Sequence, residues 1–361
     1  MKTLLFTLEY PPFKGGVSSY YGNMAKYWPI GEGLLVLDNN RGELIKNSYR
    51  PKWLPAYYSL KRKIRRSKVD YVLVGHILPL GTATWLLSKF RPIKYAVVLH
   101  GMDFSYAIRN GRKRFLTKRI LRRADKIICA NSYLAQQVED FRSTLASKIV
   151  VINPGVEAGI PEIEEDKKRG FIDYYKLEGK TVLLSLGRLV ERKGVDVVIK
   201  ALNELNEEQK NNIVYIVAGE GSAEEYLKSL VSDSLKNVVK FVGKISDVEK
   251  WAWYSIADIF VMPSRRIKGD YEGFGIVYLE ANLSGKPVIA GDSGGVKDAV
   301  KDGYNGILVK PEDVGAVRTA ITHLMEDREL REELGKQGQL RAISKFNWEG
   351  QAEKIFKAIE K

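Results

Sequence analysis

The chain has 361 residues, with 58 Lys and Arg against 44 Asp and Glu and a formal net charge of +14. At roughly 100–200 residues per domain, this length suggests two domains. A hydrophobic fraction of 45% excludes a chain that is disordered throughout. The single cysteine, Cys129, excludes an intramolecular disulfide and a four-thiolate zinc site, and three histidines argue against a histidine-rich metal site.

In chain order, the N-terminal half alternates short apolar runs with helical patterns. The first run is followed by a loop rich in Pro and Gly and then by a helix from about Val17. The runs predicted to be buried parallel strands are residues 3–8, 34–37, 71–74, 95–99, 126–130 and 149–152. Asn153-Pro154-Gly155 ends this array, and residues 162–170 have the charged composition of a loop.

The alternation then restarts, and three predicted helices close the chain. The second set of predicted strands is residues 181–186, 213–218, 238–242, 259–262, 288–290 and 306–309. Two successive arrays predict an α/β protein with two doubly wound parallel sheets. Ligands of such sheets bind at the carboxyl ends of the strands, so a cleft between the two domains is expected.

The excess positive charge lies entirely in the first half. Residues 1–165 carry a net charge of +14 and residues 166–361 a net charge of zero. This asymmetry indicates an anionic partner for the N-terminal half: a membrane, a nucleic acid or an acidic substrate.

Two stretches bear on targeting. Glu9 interrupts the apolar run of residues 4–8, so no secretory signal is predicted. Residues 71–88 carry no formal charge, but the glycines and prolines within them favour a strand, a turn and a helix start over a membrane span. A cytoplasmic protein, soluble or peripheral at a membrane, is expected.

The sharpest motif is residues 272–280, Glu-Gly-Phe-Gly-Ile-Val-Tyr-Leu-Glu. The amides of Phe274, Gly275 and Ile276 would be free at a helix N-terminus, where an anion is favoured. Glu280 could then accept two hydrogen bonds from a diol such as a ribose, and Glu272 could contact a second set of hydroxyls. The alternative is an ordinary amphipathic helix with an acidic residue near its start.

A basic loop follows the strand predicted at 181–186. Residues 187–194 read Gly-Arg-Leu-Val-Glu-Arg-Lys-Gly, and Arg188 and Lys193 would face the cleft. Two cations there can neutralise a diphosphate without a metal. The alternative is a solvated basic loop.

Two N-terminal features follow predicted strands in the same way. Gly15 and Gly16 open a helix, which suits close approach of a phosphate or a sugar, although a tight turn explains them equally. His100 stands at the carboxyl end of the strand predicted at 95–99, where either a ligand contact or a packing role fits. His76 has the same kind of position, and His323 is predicted to lie on the surface of a late helix.

The loop of residues 265–272 contains two arginines, a lysine and two acids, and it suits either phosphate contact or solvation. No Asp-x-Asp pair occurs in the chain, which removes a common carboxylate device for holding a metal on a nucleotide diphosphate. Asp270 and Glu272 are two residues apart, so a metal at that pair stays open.

Together these motifs resemble the retaining, nucleotide-sugar-dependent glycosyltransferases of family 4, which have the GT-B fold of two Rossmann-like domains. The resemblance covers nearly the whole chain and is carried by these motifs: Gly15-Gly16, His100-Gly-x-Asp103, Asn153-Pro-Gly-Val156, Gly187-Arg188 with Lys193-Gly194, Gly219-Glu-Gly221, Glu272-x7-Glu280, residues 285–295 (Gly-Lys-Pro-Val-Ile-Ala-Gly-Asp-Ser-Gly-Gly) and Phe346-Asn-Trp348. Two positions depart from the family pattern. Lys297-Asp298 stands where Pro-Glu is usual, and Asn282-Leu-Ser stands where a run of small residues is common.

The resemblance implies a role for each matching residue. Arg188 and Lys193 would clamp the diphosphate, Glu280 would bind the ribose and Glu272 the donor sugar. The amides from Phe274 through Gly275 to Ile276 would support the sugar and the phosphate. His100 would contact the donor sugar, Gly15 and Gly16 would approach the phosphate and the acceptor, and Lys244-Ile245 would lie at the base.

The resemblance also implies the domain layout. Residues 1–160 would bind the acceptor, together with a C-terminal helix, 347–361, that crosses back onto them. Residues 161–346 would bind the nucleotide sugar.

Within the family, residues 275–281 and 291–295 are most similar to the phosphatidylinositol mannoside mannosyltransferases, which implies GDP-mannose as donor and a lipid-linked or glycan acceptor. No nucleophile is evident near the sugar, so catalysis would depend on stabilising the leaving diphosphate, with no metal or other cofactor. The alternative is a UDP-sugar-dependent (glucose or N-acetylglucosamine) transferase with a soluble acceptor. Another GT-B enzyme, such as a phosphorylase or an epimerase, is a further alternative.

The basic half contains two cation-rich segments. Tyr57, Leu60 and Ile64 share a helical face, and six of the eight residues 61–68 are basic; residues 109–126 add nine more cations. Basic amphipathic segments suit an anionic membrane surface. The alternatives are a solvated basic surface and, more remotely, nucleic-acid binding, for which the sequence contains no recognition motif.

Overall fold

The computed structural model describes residues 1–157 and 159–360, which form two compact units. Unit 1 consists of Met1–Gly155 and the chain from Trp348 onward, and unit 2 is Val156–Asn347. The predicted boundary between the domains was after residue 160, and the chain was predicted to return to the first domain at residue 347. Unit 1 contains 30 Lys and Arg against 12 Asp and Glu, a net charge of +18, whereas the net charge of unit 2 is −4. The observed division therefore makes the charge asymmetry steeper than the two sequence halves suggested.

Unit 1 is built on six parallel strands in the order β2-β1-β3-β4-β5-β6. The strands are β1 (Lys2–Phe6), β2 (Gly33–Leu37), β3 (Tyr71–Val74), β4 (Lys94–Leu99), β5 (Lys126–Cys129) and β6 (Ile149–Val151). The strand order reverses between β1 and β3, so ligands are expected where the carboxyl ends of these two strands meet.

Helices cover both faces of this sheet. They are α1 (Gly16–Lys26), α2 (Leu54–Ser67), α3 (Leu80–Ser88), α4 (Met102–Ala107), α5 (Gly111–Arg123), α6 (Ser132–Phe141) and, from the C-terminus, α16 (Trp348–Glu360). Alternate residues of β1 point to opposite faces: Leu4 packs with α2, α3 and α5, and Leu5 packs with α1 and α16.

The apolar face of α2 is part of this core. Leu60 and Ile64 are buried in it, while the cations of the same helix, such as Arg62 and Arg66, are exposed. The helix is amphipathic as predicted, but its apolar residues are occupied by packing inside unit 1 and do not form an exposed apolar surface.

Unit 2 has a second six-stranded parallel sheet, in the order β12-β11-β10-β7-β8-β9. Its strands are β7 (Thr181–Leu186), β8 (Ile213–Ala218), β9 (Val239–Gly243), β10 (Ile259–Met262), β11 (Val288–Gly291) and β12 (Gly306–Val309). The order reverses between β7 and β10, which is the Rossmann arrangement and marks the expected ligand position.

The helices of unit 2 are α7 (Glu165–Tyr175), α8 (Val195–Asn203), α9 (Glu207–Asn211), α10 (Glu224–Ser229), α11 (Asp247–Ile256), α12 (Ile276–Leu283), α13 (Val296–Ala299), α14 (Val314–Glu326) and α15 (Arg328–Lys345). The prediction of a loop at 162–170 is wrong, because α7 begins at Glu165. Acidic residues in its first turn suit the helix dipole, and Phe171 stacks on Trp253 at 4.7 Å between ring centroids. Tertiary packing by aromatic residues thus outweighs the charged composition.

All twelve predicted strands are confirmed to within two residues at either end, and the three predicted closing helices are present as α14, α15 and α16. Residues 71–88 form β3, a turn and α3, as predicted. Among the described residues, no helix is both long and apolar enough to span a membrane.

Candidate active site

The carboxyl ends of β7 and β10 in unit 2 carry most of the predicted site residues. The connection after β7 lies tightly against the one after β8: Gly187 N donates to Ala218 O, and any Cβ on Gly219 would collide with Gly187 O. This close backbone approach requires glycine at 219, and the φ of 144° favours glycine at 187. The contact fixes the start of the loop that carries Arg188 and Lys193.

Glu272 is the centre of a buried ion cluster at this edge. Its Oε2 accepts hydrogen bonds from Lys193 Nζ at 2.7 Å and from Arg192 Nη1 at 2.6 Å. Arg192 Nε also donates to Asp270 Oδ2 at 3.0 Å. The Glu272 and Lys193 side chains are each only 11% exposed. Both bonds fall on one carboxylate oxygen, and Oε1 of Glu272 has no hydrogen-bond partner among the described residues, so it is available to a ligand hydroxyl.

The charges of this cluster stabilise one another. Burial would raise the pKa of Glu272, but attraction to Lys193 and Arg192 outweighs burial and holds that pKa below its ordinary value. Burial would likewise lower the pKa of Arg192, yet Glu272 and Asp270 raise it. Glu272 and Arg192 therefore stay ionised through the neutral pH range.

Arg188 differs from its neighbours in the same loop. Its side chain is exposed, and in the part of the chain that the structure describes it forms no hydrogen bond or ion pair. Of the two cations predicted as a diphosphate clamp, Lys193 is thus held by Glu272 whereas Arg188 is available.

The start of α12 lies beside the ion cluster. Gly275 precedes the helix with φ = 81°, a left-handed conformation in which a Cβ would strike the Tyr278 ring. Phe274 is buried and packs against Phe346, so the amides from Phe274 to Ile276 are held in place at the helix N-terminus. Gly295 N donates to Glu272 O at 3.0 Å and ties the connection after β11 to the same point.

Glu280, one helical turn into α12, is held from a different element. Lys250 Nζ donates to its Oε1 at 2.7 Å and Tyr254 Oη donates to its Oε2 at 3.0 Å. Burial, and then the Glu280 charge, keep the pKa of Tyr254 well above its ordinary value, so the phenol remains a donor. Both donors come from α11, and the carboxylate keeps lone pairs for a diol.

The predicted base-contact residues lie just before α11. Lys244 is exposed and Ile245 is half-buried against the core, and Ser246 caps α11 by accepting a bond from Glu249 N. Helix α11, whose side chains donate hydrogen bonds to Glu280, therefore starts two residues after Ile245. The predicted base and ribose residues thus belong to adjoining parts of one edge.

The loop of residues 265–272 is neither uniformly solvated nor free for phosphate. Arg265 is buried, and its Nη1 donates to both carboxylate oxygens of Asp196 at 2.9 and 3.0 Å. Asp270 and Glu272 both bind Arg192, so the pair considered for a metal is instead bridged by a guanidinium. The described residues contain no cluster of three or more His, Cys, Asp or Glu side chains suited to a metal ion.

In unit 1, the carboxyl ends of β1 and β3 bring Glu9 and His76 together. His76 Nδ1 accepts from Leu8 N at 3.3 Å, which places the proton of the neutral ring on Nε2, 3.6 Å from Glu9 Oε1. Burial lowers the pKa of His76 although Asp103 and Glu9 oppose it. A Cβ on Gly16 would meet no atom and one on Gly15 only Glu9 and Phe13, so packing does not require these glycines and the space beside them is open.

His100 lies at the carboxyl end of β4, next to this pair in strand order. Its Nε2 is 2.9 Å from Tyr21 Oη, which itself donates to Gly75 O, so His100 donates to Tyr21. The edges of the Tyr20 and Tyr21 rings also pack against it. Burial lowers the pKa of His100 to about 4, so the ring is neutral at pH 7.

Comparison with known proteins decides the family. Residues 164–341 match the model for glycosyl transferases group 1, and residues 34–159 match the model for glycosyltransferase family 4. A mannosyltransferase from Mycolicibacterium smegmatis is 30% identical over 96% of this chain and 94% of its own length; its name is GDP-mannose-dependent alpha-(1-6)-phosphatidylinositol monomannoside mannosyltransferase. The chain belongs to the family 4 glycosyltransferases.

The fold of this glycosyltransferase is GT-B, as expected. A glycosyltransferase from Rickettsia africae matches with a TM-score of 0.83, at 20% identity and covering 99% of this chain and 98% of that one. The HepE protein of Anabaena, solved in complex with UDP, matches with a TM-score of 0.78, at 18% identity and full coverage of both chains.

Four residues at the two sheet edges were not predicted from the sequence: Arg192, Lys250 and Tyr254 in unit 2, and Glu9 in unit 1. Arg192 lies in the same basic loop as Lys193. Its pairing with Asp270 and Glu272 could not be predicted from the sequence, because the two acids are far along the chain. Lys250 and Tyr254, four residues apart on a helix, were a detectable pattern, since such residues share a face.

Proposed function

We propose that this glycosyltransferase transfers a hexose, mannose from GDP-mannose, to a hydroxyl of a lipid-linked or glycan acceptor at a membrane surface, with retention of the anomeric configuration. The 30% identical relative is named for GDP-mannose and a phosphatidylinositol monomannoside, which supports this donor and this acceptor class because the match extends over nearly the whole of both chains. The edge of unit 2 is the proposed donor site, and the edge of unit 1 that carries Glu9 and His76 is the proposed acceptor site.

The observation that carries the proposal is the geometry around Glu272. A carboxylate whose Oε2 is fixed by two cations, and whose Oε1 has no partner among the described residues, is suited to orient a sugar through its hydroxyls. The same contacts hold Lys193 Nζ at the carboxyl end of β7, where a phosphate would bind. One cluster thus positions both the sugar-binding acid and a phosphate-binding cation.

In the proposed reaction, the bond between the anomeric carbon and the β-phosphate oxygen breaks and the electron pair stays on the nucleoside diphosphate. The acceptor hydroxyl oxygen bonds to the same face of the anomeric carbon, and its proton passes to the departing phosphate oxygen. Arg188, Lys193 and the amides at the start of α12 stabilise the negative charge that develops on this phosphate. Charge stabilisation of this kind requires no protein nucleophile.

Glu280 is the proposed ligand of the ribose diol. Lys250 and Tyr254 fix its two oxygens, so the carboxylate is oriented before the nucleotide arrives. Lys244 and Ile245 are the proposed contacts of the base, and His100 the proposed contact of the donor sugar. A neutral His100 can offer only its Nδ1 to a hydroxyl, because Nε2 already donates to Tyr21.

The proposed reaction uses no metal ion, because the cations of the basic loop and the helix amides would neutralise the diphosphate. Activity is therefore expected to persist after exhaustive treatment with EDTA. Recovery of a lost activity by Mg²⁺ or Mn²⁺ would contradict this part of the proposal.

The proposed location is peripheral, at the cytoplasmic face of the cell membrane. The +18 net charge of unit 1 supports it, because cations near an anionic membrane each contribute about 1 kcal/mol of attraction. Nucleic acid is not proposed as a partner.

The test is a donor competition. Thermal unfolding is measured with GDP-mannose, UDP-glucose and UDP-N-acetylglucosamine, and transfer from each to lipid extracts and to soluble sugars is followed by mass spectrometry. We expect the greatest stabilisation and transfer with GDP-mannose and a lipid acceptor, and an α-linked product by NMR. A preference for a UDP-sugar would establish the alternative donor, and a β-linked product would rule out retention.

A further inference from the structure

Unit 1 contains an apolar cavity in the helix layer that covers one face of its sheet. The cavity has a volume of about 600 Å³, within the range of roughly 300–1,000 Å³ that is usual for small-molecule pockets. Its wall is largely apolar and comes from α3, α5 and the segment before α2, including Trp53, Trp85, Leu86, Phe115 and Leu116. Phe115 is 51% exposed, so the cavity opens to solvent through an aromatic rim.

A second cavity, of about 420 Å³, adjoins the first and shares Trp85 with it. Apart from Trp85 it is lined only by cations: Lys89, Arg119, Arg122 and Arg123. Arg112 adds a fifth cation at the first cavity. The residues lining the two cavities include no carboxylate, so an apolar space lies beside an anion-attracting space.

The cations of this site do not have the partners that surface cations commonly have. None of the five forms an ion pair within residues 1–157 and 159–360. Lys89 Nζ lies 4.2 Å from the centroid of the Trp85 ring and the Arg119 guanidinium 4.0 Å from that of Phe115. Lys89 and Arg119 therefore lie over the aromatic rim, and Arg123 donates to Ser88 O at 3.4 Å. No carboxylate in the described part of the chain compensates the charge of these cations, which a bound anion would relieve.

The register of α5 explains how one helix contributes to both spaces. Residues 112, 115, 116, 119, 122 and 123 follow a spacing of three and four and so share a face, while Thr117, Ile120 and Leu121 turn toward the core. Along this stripe, Phe115 and Leu116 lie between Arg112 and three further arginines toward the end of the helix. Leu116 packs against the core, whereas Phe115 is exposed beside the arginines.

The topology places the cationic end of this site away from the proposed acceptor edge. Because α3 and α5 return the chain to the starts of β4 and β5, their C-terminal ends lie at the amino-end edge of the sheet. Lys89, Arg122 and Arg123 are therefore at the edge opposite Glu9 and His76, and the apolar cavity lies toward the N-terminal ends of the same helices. A phosphate bound among these cations would lie at the edge opposite the proposed acceptor site.

We infer that these two cavities bind a single anionic phospholipid, with an acyl chain in the apolar cavity against Trp85 and Phe115 and the phosphate among Arg119, Arg122 and Lys89. The inference rests on the proposed function in that it supplies the membrane attachment such an acceptor requires. It also supplies an apolar contact with the membrane, which α2 cannot make because its apolar face is buried in the core. The bound lipid is an anchor, and the acceptor binds elsewhere.

The chemistry of the site is tested first with soluble probes below their aggregation concentration. With GDP present to occupy the proposed diphosphate site of unit 2, dodecyl phosphate is expected to raise the Tm of the full chain by several degrees. Inorganic phosphate or dodecanol at the same concentration is expected to have no effect under these conditions. A rise with inorganic phosphate alone would show a bare phosphate site, and a rise with dodecanol alone would show an apolar pocket without charge recognition. Either result, or no response to dodecyl phosphate, overturns the inference.

The place of binding is tested with vesicles of phosphatidylcholine with and without phosphatidylglycerol. Arg119→Glu/Arg122→Glu is expected to weaken sedimentation with the anionic vesicles by about tenfold or more. The matched control is Lys310→Glu/Lys336→Glu, which makes the same change in net charge on exposed residues of unit 2. Equal weakening by both pairs would mean that net charge alone acts and would overturn the assigned site.

The position of the acyl chain is tested by fluorescence, which does not depend on a destabilising variant. Phosphatidylglycerol with brominated acyl chains is expected to quench the tryptophan emission, and Trp85→Phe, which preserves an aromatic ring, is expected to remove much of that quenching while vesicle binding persists. Quenching that is unchanged in Trp85→Phe would place the chain elsewhere and overturn the inference.

Stabilisation by GDP-mannose is measured in parallel on every variant. In the variants, an intact donor response shows that the fold is retained. In the wild type, absence of the lipid responses with an intact donor response overturns the lipid site alone. Loss of the donor response with intact lipid responses overturns the proposed donor and leaves the lipid site standing.

Discussion

The carboxyl-end edges of the two sheets differ in the charge of their side chains. In unit 2 the edge is built from ionised groups that neutralise one another, with Glu272 held by Arg192 and Lys193. In unit 1 the corresponding edge holds two histidines that burial keeps neutral, His76 and His100, beside Glu9. This contrast is unexpected, since unit 1 is the strongly cationic unit.

The difference shows that net charge and site charge are separate properties of this molecule. The cations of unit 1 lie on helices such as α2 and α5, away from the edge where β1 and β3 end. Unit 2 has a net charge of −4, yet its edge concentrates cations at the expected phosphate position. A diphosphate needs fixed positive charge, whereas recognition of a neutral hydroxyl needs directed hydrogen-bonding groups.

The largest effect is expected from Arg188→Ala. The side chain is exposed and makes no contact that stabilises the described part of the fold, so the free energy of unfolding should change by less than about 0.5 kcal/mol. Loss of a cation that stabilises the leaving diphosphate should lower kcat by about 10²–10³-fold. Steady-state kinetics and denaturant unfolding check both values, with Lys310→Ala as the control. Near-normal turnover would remove Arg188 from the diphosphate clamp.

Glu272→Gln is expected to damage both stability and activity, in contrast to Arg188→Ala. Removing the carboxylate charge leaves Arg192 and Lys193 mostly buried without it, which costs about 3 kcal/mol. Because the pKa of Glu272 is below its ordinary value when folded, its stabilising share is full above about pH 4.5 and is lost as pH falls through the lower value. Unfolding measured from pH 7 downward should show a difference between variant and wild type that is full at pH 7 and shrinks as the pH falls below about 4.5.

A variant as stable as the wild type at pH 7 would mean that the ion cluster contributes nothing net. Asp270→Asn is the matched control, since it also removes a carboxylate from Arg192 but from a more exposed position, 47% against 11%. Its cost should be clearly smaller, because exposed ion pairs contribute little.

The pH response of unit 1 should run in a different range. Burial lowers the pKa of His100 to about 4 in the folded chain, against an ordinary value near 6.5. Between these values the unfolded chain binds more protons, so stability is full above about pH 6.5 and falls as pH drops to about 4. The difference corresponds to about 3 kcal/mol. His100→Asn should flatten this fall, and His76 should account for what persists because burial also lowers its pKa. An unchanged profile would place the titration elsewhere.

The sequence was sufficient to predict the fold because its information is local. Each strand is a short apolar run bounded by turn residues, and β3 is predicted by residues 71–74 with no knowledge of the rest of the chain. The one clear error, the helix α7 at a stretch predicted as a loop, arose where a long-range contact decides: Phe171 stacks on Trp253, 82 residues further along.

The candidate site was predictable only in part for the same reason. Arg188, Lys193, Glu272 and Glu280 belong to motifs that can be recognised in the chain. The contacts that hold them cannot, since Arg192 meets Glu272 across 80 residues and Lys250 meets Glu280 across 30. Periodicity identifies the edge of a sheet on which a side chain stands, but it does not identify which charged groups pair there.

The smallest effect, and the most selective, is expected from Glu9→Gln at the edge of unit 1. Glu9 is 34% exposed and its carboxylate lies 3.6 Å from His76 Nε2, so the amide keeps the shape and one acceptor oxygen, and stability should hardly change. If this edge receives the acceptor, the KM for acceptor should rise several-fold while the KM for donor and the slow hydrolysis of donor without acceptor stay unchanged. Lys244→Ala should produce the reverse pattern, because it alters a predicted base contact in unit 2. Initial rates with each substrate varied in turn distinguish the two, and a Glu9→Gln effect on donor hydrolysis would assign this carboxylate to the donor instead. The pair of variants therefore tests whether the neutral edge and the charged edge serve separate substrates.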